Sequence, residues 1–351
     1  MSVARLFSIP AAAPEPASLP RAVLPEAPRR IRIGMPHLDA GGLSENWLLR
    51  DAGDRHWEAI GQRLGVPTDQ IRSESGERLY PTVVAVRARY DAPLAAVHEN
   101  DVFQASAEVV PCGRACAHGR VVATVGKAGG ATTRVSLELL TTFAARASAG
   151  ARLRMALPEP TLARRWVSVG DEPPIAALAR AARRGGPLAD AFAGPVMALA
   201  DHPLGELTYE PSPYADYNGA GLLYFASYVT IADSAERQLV RRLGLALDRG
   251  PSAVAASAPA SGGARAVDWA LATSAVRRDV FFYDNLPLGD ALTATLMSFH
   301  SEGDRQGNGN DREVTTRIRL SRQDDEAGGA RRPMADVITR RRFVPGAGER
   351  R

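Results

Sequence analysis

One plan occurs twice in this chain. Met35-Pro36-His37-Leu38-Asp39-Ala40-Gly41-Gly42-Leu43 runs into an apolar-patterned stretch from Ser44 to Leu64. Tyr214-Ala215-Asp216-Tyr217-Asn218-Gly219-Ala220-Gly221-Leu222 runs into another, from Leu223 to Leu243. With Gly42 laid on Gly221, a titratable residue falls at the same place in each copy, His37 and Asp216. A β-like run precedes each, Arg30 to Gly34 and Leu204 to Tyr209. A strand, a glycine-rich loop and a long helix, met twice, read as two copies of one module. A helix N-terminus with free N–H groups beside an acid or base is a way to polarise a carbonyl. Either glycine alone needs no more than a tight turn.

The rest of the pattern fits two such modules. The first helix repeats apolar residues at Leu48, Leu49, Ala52, His56, Ala59, Ile60 and Leu64, and Pro67 stops it. Strands are predicted at Leu79–Tyr90, Val102–Val110, Arg120–Val125 and Arg134–Phe143, rich in Val and Thr and bounded by Gly, Pro or Asp. After the second helix, strands are predicted at Trp269–Tyr283, Ala291–His300, Arg312–Ser321 and Met334–Val344. Ala95–Asn100 and Val280–Asn285 both end in an acid followed by Asn and extend the repeat. One long helix followed by antiparallel strands is an α+β layout in which a sheet wraps a helix. The boundaries expected are a Pro/Ala-rich tail over 1–28, module one over 29–150, a connector over 151–203, module two over 204–345, and a tail over 346–351. The connector holds a short amphipathic segment, Ile175–Arg184. Two polar inserts, Arg249–Ala264 and Ser301–Asp311, set the second module apart.

A length of 351 residues with 45% hydrophobic composition supports two real cores. The formal net charge is +4, with a single lysine, Lys127, among 43 basic residues. So small a net charge on a chain this large argues against nucleic acid as partner. The clusters Arg29–Arg32 and Arg331–Arg342 read as solvated faces, with an acidic partner or a phosphate as the alternative. Cys112, Cys116 and His118 lie close together, yet no second ligand pair follows, so no metal is expected. Two thiols suit a reducing compartment. With no apolar run of spanning length and no secretory pattern, a soluble cytoplasmic protein is expected.

Asp216-x4-Gly221-Leu222-Leu223-Tyr224-Phe225-x2-Tyr228 is similar to the helix-start motif of 4-hydroxybenzoyl-CoA-type hot-dog thioesterases, in which the Asp is catalytic and the Gly opens the helix. Gly34-Met35-Pro36-His37-Leu38, Gly41-Gly42-Leu43-Ser44-Glu45-Asn46-Trp47-Leu48-Leu49 and Gly53-Asp54-Arg55-His56-Trp57 resemble the LnmK-type double hot-dog acyltransferase/decarboxylases of polyketide pathways. Asp216–Ala220 with Leu222–Ser227 is similar to the same group, and the resemblance runs from about Arg30 to Phe343. It implies a double hot-dog fold, an internal pseudo-dimer standing as monomer or homodimer. It implies no bound cofactor, with a CoA thioester as substrate. Methylmalonyl-CoA would give its acyl group to an acyl carrier protein, with decarboxylation to the propionyl thioester.

The family's candidate acyl acceptor is a Tyr that best matches Tyr80, with Tyr90 and Tyr283 also near strand ends. A free phenol is about one part in a thousand phenolate at neutral pH, so Tyr80 needs a neighbouring base, for which His37 and His56 are candidates. Proton donation to carbon falls to His37 or Tyr80. Gly42, Leu43, Ser44, Asn46 and Gly221 are candidates to bind the thioester oxygen, Ser44 and Asn46 also serving as caps. Two other enzyme readings stay open. A thioesterase would use Asp216 to activate water. A dehydratase would pair His37 with Asp216, although Asn46 and Ala220 depart from its motif. A non-catalytic acyl-binding module is the third alternative.

Overall fold

The computed structural model describes residues 29–127, 130, 132–146, 153–168, 171–185, 203–245, 272–302, 313–324 and 330–343. The terminal tails, the insert 249–264 and most of the insert 301–311 lie outside the described residues.

The first module opens with β1 (Arg29–Arg32), a short 3₁₀ turn over Met35–His37, and a small hairpin of β2 (Leu38–Asp39) and β3 (Gly42–Leu43). Helix α1 (Glu45–Leu64) follows, then β4 (Leu79–Tyr90), β5 (Val102–Pro111), β6 (Cys116–Gly126) and β7 (Thr132–Ala145). The connector carries β8 (Arg154–Met155), α2 (Pro160–Ala163) and α3 (Pro174–Arg183). The second module repeats the order with β9 (Gly205–Tyr209), α4 (Phe225–Arg242), β10 (Thr273–Phe282), β11 (Leu292–Glu302), β12 (Glu313–Asp324) and β13 (Ala330–Phe343).

All the long strands join one antiparallel sheet in the order β1-β5-β6-β7-β4-β10-β13-β12-β11-β9, with β8 added to β7. Read outward from the β4·β10 seam, the two halves present the same elements in the same order. Val86 faces Val280 across the seam, Val86 pairs with Leu139 in β7, and Val280 pairs with Val337 in β13. That register makes Val86 and Val280 equivalent and places a pseudo-two-fold between them. The chain is therefore a double hot-dog: two long helices, each wrapped by half of one continuous sheet, in an internal pseudo-dimer. One sequence equivalence needs correcting. Ala95–Asn100 follows the end of β4 as a 3₁₀ turn and loop, whereas Val280–Phe282 lies inside β10, so these segments are not counterparts.

The inner face of the sheet holds both helices and the main core, from Val86, Leu139, Val280 and Val337 to Leu48, Leu49, Ala226 and Ile231. Leu48, Leu49, Ala52, His56, Ile60 and Leu64 of α1 are buried at helical spacing, and Gly65 ends the helix in the left-handed conformation (φ 69°). The helices cross where a side chain at Gly53 would put its Cβ 2.8 Å from the Phe225 ring, so only glycine fits. On the outer face, α3 covers the seam through Ile175, Ala176 and Ala179 against Ala85, Leu140, Phe281 and Ile338. The predicted amphipathic segment is thus the lid of the sheet's centre.

Candidate functional site

Each helix start is built in the same way. Ser44 N–H donates to His37 O at 2.9 Å, and Tyr224 N–H donates to Asp216 O at 2.8 Å. Leu38 pairs with Leu43, and Tyr217 with Leu223. His37 and Asp216 are therefore counterparts, as are Ser44 and Tyr224, with one extra residue in the second loop. The loop residue two beyond each acts as an Asx turn. Asp39 Oδ1 accepts from Gly41 N–H, and Asn218 Oδ1 accepts from Ala220 and Leu222 N–H.

At the start of α4 the seam between the modules opens. The β4·β10 ladder stops at Ala85 and Phe281, and β4 is bulged between Val83 and Ala85. Beyond that point the strands part around a cavity of about 250 Å³. On the inner side it is walled by Trp57, Val83, Leu222, Leu223, Phe225 and Tyr228. On the outer side Tyr80, Thr82, Cys116, Leu140 and Thr142 form the wall, and α3 roofs it with Ala179, Arg180 and Arg183. Its rim carries Asn218, Asp284 and Asn285. Most of this surface is apolar, as an acyl-binding site requires.

The polar groups are few and held in place. No side-chain hydrogen bond caps α4; Ser227 N–H turns back to Tyr224 O at 2.9 Å, and the helix begins at Phe225, which stands on the cavity wall with Leu223. Asn285 Oδ1 accepts from Leu223 N–H at 3.1 Å while its amide donates back to Leu223 O, which fixes the loop. Asn218 turns its oxygen into the loop and stands among the lining residues. Among the described lining residues Asp284 is the one carboxylate; Arg332 pairs with it at 2.7 Å and Asn285 N–H donates to it at 2.9 Å. Burial pushes the Tyr224 hydroxyl up to about 12 and raises Tyr228 and Tyr283, so all three stay neutral. Tyr283 donates to Asp336 at 2.6 Å. Arg183 donates to the carbonyls of Phe282 (2.8 Å) and Tyr283 (3.3 Å).

Of the tyrosines singled out in the sequence, the structure brings Tyr80 and Tyr283 to this cavity and leaves Tyr90 away from it; Tyr283 is held by Asp336, whereas Tyr80 stands on the outer wall. Its ring lies under the Arg78 guanidinium, 4.8 Å from the ring centre. Among the described residues no histidine lines the cavity. His37 accepts from Gly34 N–H through Nδ1 and packs edge-on against Trp47. His56 is fully buried beneath Gly119, bonded through Nε2 to Thr141 at 2.9 Å, and burial lowers it to about 3, so it is a neutral core residue. Asp216 is 6% exposed and accepts from Ser212 N–H and the Tyr209 hydroxyl, closing its own loop. The structure does not bring His37 and Asp216 together in the cavity, as the dehydratase reading needs.

The candidates around Gly42 lie at the other helix start, and that site is filled. A Cβ on Gly42 would sit 2.2 Å from Leu94 O, because the 3₁₀ turn after β4 presses on this loop. Leu43 is core, Ser44 Oγ accepts from Trp47 N–H, and Asn46 bridges to Ala226 O and Thr230 on α4. Gly221 takes a positive φ (66°) in the turn leading to Leu222 and Leu223. Tyr90 donates to Glu45 at 2.7 Å and is raised well above its usual range by burial. Arg278, 1% exposed, donates to both Glu45 oxygens (2.7 Å each), both Asp233 oxygens (3.0 Å each) and Thr339. Asn218, Asp284 and Asn285 stand in motifs read from the sequence but carry no site role there, and α3 is expected only as an amphipathic segment of the connector. For Asn218 the signal was present in the repeat, since it stands where Asp39 stands in the first copy. Among the described residues no group of three or more His, Cys, Asp or Glu side chains is placed to hold a metal, and no helix is long and apolar enough to cross a membrane.

Comparison with known proteins adds the fold. No family profile matches the chain, and no curated protein matches it. Among solved structures, a Lactobacillus plantarum protein provisionally named an oleoyl thioesterase superposes with a TM-score of 0.57 at 13% identity, covering 91% of this chain and 95% of that one. The 12:0-ACP thioesterase from Umbellularia californica superposes with a TM-score of 0.52 at 10% identity, covering 90% of this chain and 97% of that one. At such identities the likeness is one of fold, and it spans both modules.

Proposed function

We propose that this chain is an acyl-thioester hydrolase with one working site, the cavity at the start of α4. The observation that carries this reading is a helix start without a side-chain cap beside an apolar cavity, with Asp284 the one carboxylate among its described lining residues. The acyl chain lies against the apolar wall, and its thioester oxygen accepts from the N–H groups of Phe225 and Ala226 at the start of α4. Such donors gain strength as negative charge builds on that oxygen, each contributing typically about 100- to 1000-fold. Asp284 takes a proton from water as the water oxygen bonds to the carbonyl carbon. The C–S bond then breaks, and the thiolate leaves and recovers the proton. Acyl-CoA and acyl carrier protein both present such a thioester, and two of the similarly folded proteins are named as thioesterases.

A second reading is favoured by one specific observation, the presence of Tyr80 on the same cavity under Arg78. Here Tyr80 accepts the acyl group of methylmalonyl-CoA and passes it to an acyl carrier protein, with loss of CO₂ giving the propionyl thioester. Neither histidine the sequence offered as its base, His37 or His56, is among the described lining residues, so hydrolysis ranks first.

Incubating the chain with octanoyl-CoA or methylmalonyl-CoA, with and without a holo-carrier protein, separates the two. Hydrolysis gives free acid, free CoA and an unmodified carrier. Acyl transfer with decarboxylation gives a carrier heavier by a propionyl group and no free acid. Intact thioester in every arm would overturn both.

A further inference from the structure

The two cysteines of the chain stand at the feet of the β5–β6 hairpin. The ladder runs Val110 opposite His118 and Pro111 opposite Ala117; one step further, Cys112 N–H donates to Cys116 O at 2.9 Å. Residues directly opposite on antiparallel strands share a face. Their Cα atoms lie about 4.5–5.5 Å apart, inside the range of about 4.4–6.8 Å that a disulfide spans. The turn between them, Gly113-Arg114-Ala115, is closed by Gly113 at φ 79°, so the two positions are held opposite each other. Both thiols are free, and standing opposite each other they act on one another, raising Cys112 and lowering Cys116. Cys116 is 5% exposed, and the surface beside it is the outer wall of the cavity, next to Leu140 and Thr142.

We propose that Cys112 and Cys116 form a reversible oxidation site in the wall of the cavity, closing to a disulfide with hydrogen peroxide as the oxidant. Peroxide is small enough to reach Cys116 through the cavity. The Cys116 thiolate attacks one peroxide oxygen, the O–O bond breaks, and the departing hydroxide takes a proton to become water, leaving a sulfenic acid. The Cys112 sulfur then attacks the Cys116 sulfur, the S–O bond breaks, and the hydroxide leaves with the Cys112 proton as a second water. Two thiols give up two electrons, and one peroxide becomes two waters. The bond draws the Cys116 sulfur away from Leu140 and Thr142 toward the hairpin, which changes the cavity's outer wall. This site does not depend on which thioester reaction the cavity performs.

Trypsin cuts after Arg114, between the two cysteines, so a native digest separates them unless they are bridged. The folded full chain is exposed to hydrogen peroxide, blocked with iodoacetamide in denaturant, digested without reductant and weighed. The expected product is the linked pair of peptides, which dithiothreitol converts to two separate ones. In Cys112→Ser no link forms, and dimedone traps Cys116 as its sulfenic acid adduct. Two separately alkylated peptides after peroxide treatment of the wild-type chain would overturn the proposal. So would Cys116 carried on to sulfinic acid while Cys112 remains alkylatable.

Discussion

The starts of α1 and α4 are counterparts with opposite fates. At the start of α4 the first helical residue is Phe225, and the facing turn of α1 offers Gly53, which has no side chain to crowd the ring. At the start of α1 the first helical residue is Glu45, and the facing turn of α4 offers Asp233. Arg278 is drawn between those two carboxylates and fills the space. An apolar pair thus leaves a cavity, and an acidic pair recruits its own plug. The bulges differ as well, falling between Val83 and Ala85 in β4 and between Ala275 and Arg277 in β10. A duplicated module can therefore keep two helix starts while only one opens on a cavity.

The sharpest way to break this comparison is at the rim of the open site. Asp284→Asn keeps the shape of the side chain and removes its basicity. Hydrolysis should fall by about 100- to 10,000-fold, with little change in melting temperature, as followed by free-thiol release. Unchanged hydrolysis would remove Asp284 from the reaction.

The filled site should respond in stability instead. Arg278→Met leaves the Glu45 carboxylate buried without its cation, while Asp233 keeps Arg341; such a change typically costs about 3–5 kcal/mol. Chemical denaturation measures it. Turnover per folded molecule should stay as it was, because Arg278 does not line the cavity.

The helix faces differ in titration too. His56 on α1 is held near 3, below its usual value of 6.5, chiefly by burial. The unfolded chain therefore binds the extra proton first. Its contribution is fully present above pH 6.5 and is lost as pH falls from 6.5 toward 3. The slope is at most about 1.4 kcal/mol per pH unit for one group. Denaturant midpoints across that window should fall less steeply in His56→Gln. An equal slope in both proteins would place the acid sensitivity elsewhere.

Smaller effects are expected from His37→Ala and Asp216→Asn. Each breaks loop hydrogen bonds at its own helix start, worth about 0.5–1.5 kcal/mol apiece. Turnover should hold within about tenfold, the scale of that energy. A loss of nearly all activity in Asp216→Asn would move the reacting carboxylate from Asp284 to the loop.

Much of the fold was legible because its signals are local. The two glycine loops, the helical spacing from Leu48 to Leu64 and the Val-rich strand Leu79–Tyr90 each follow from nearby residues. The first half of the site was legible for the same reason, since a helix start announces itself in a few positions. What was not legible is which start stays open. That depends on contacts between residues far apart in sequence, Phe225 with Gly53 and Glu45 with Arg278. Asp284 and Asn285 reach the cavity because β10 parts from β4 beyond Phe281, a break in pairing that no local pattern encodes.

The central claim is one working cavity per chain, and stoichiometry tests it most directly. Titration calorimetry of Asp284→Asn with octanoyl-CoA reads the number of sites without turnover. The account predicts one molecule bound per chain, and no change in that number in Asp284→Asn combined with Arg278→Met at a temperature where both remain folded. Two molecules bound by Asp284→Asn alone would show that the start of α1 also receives a thioester, and would contradict the account.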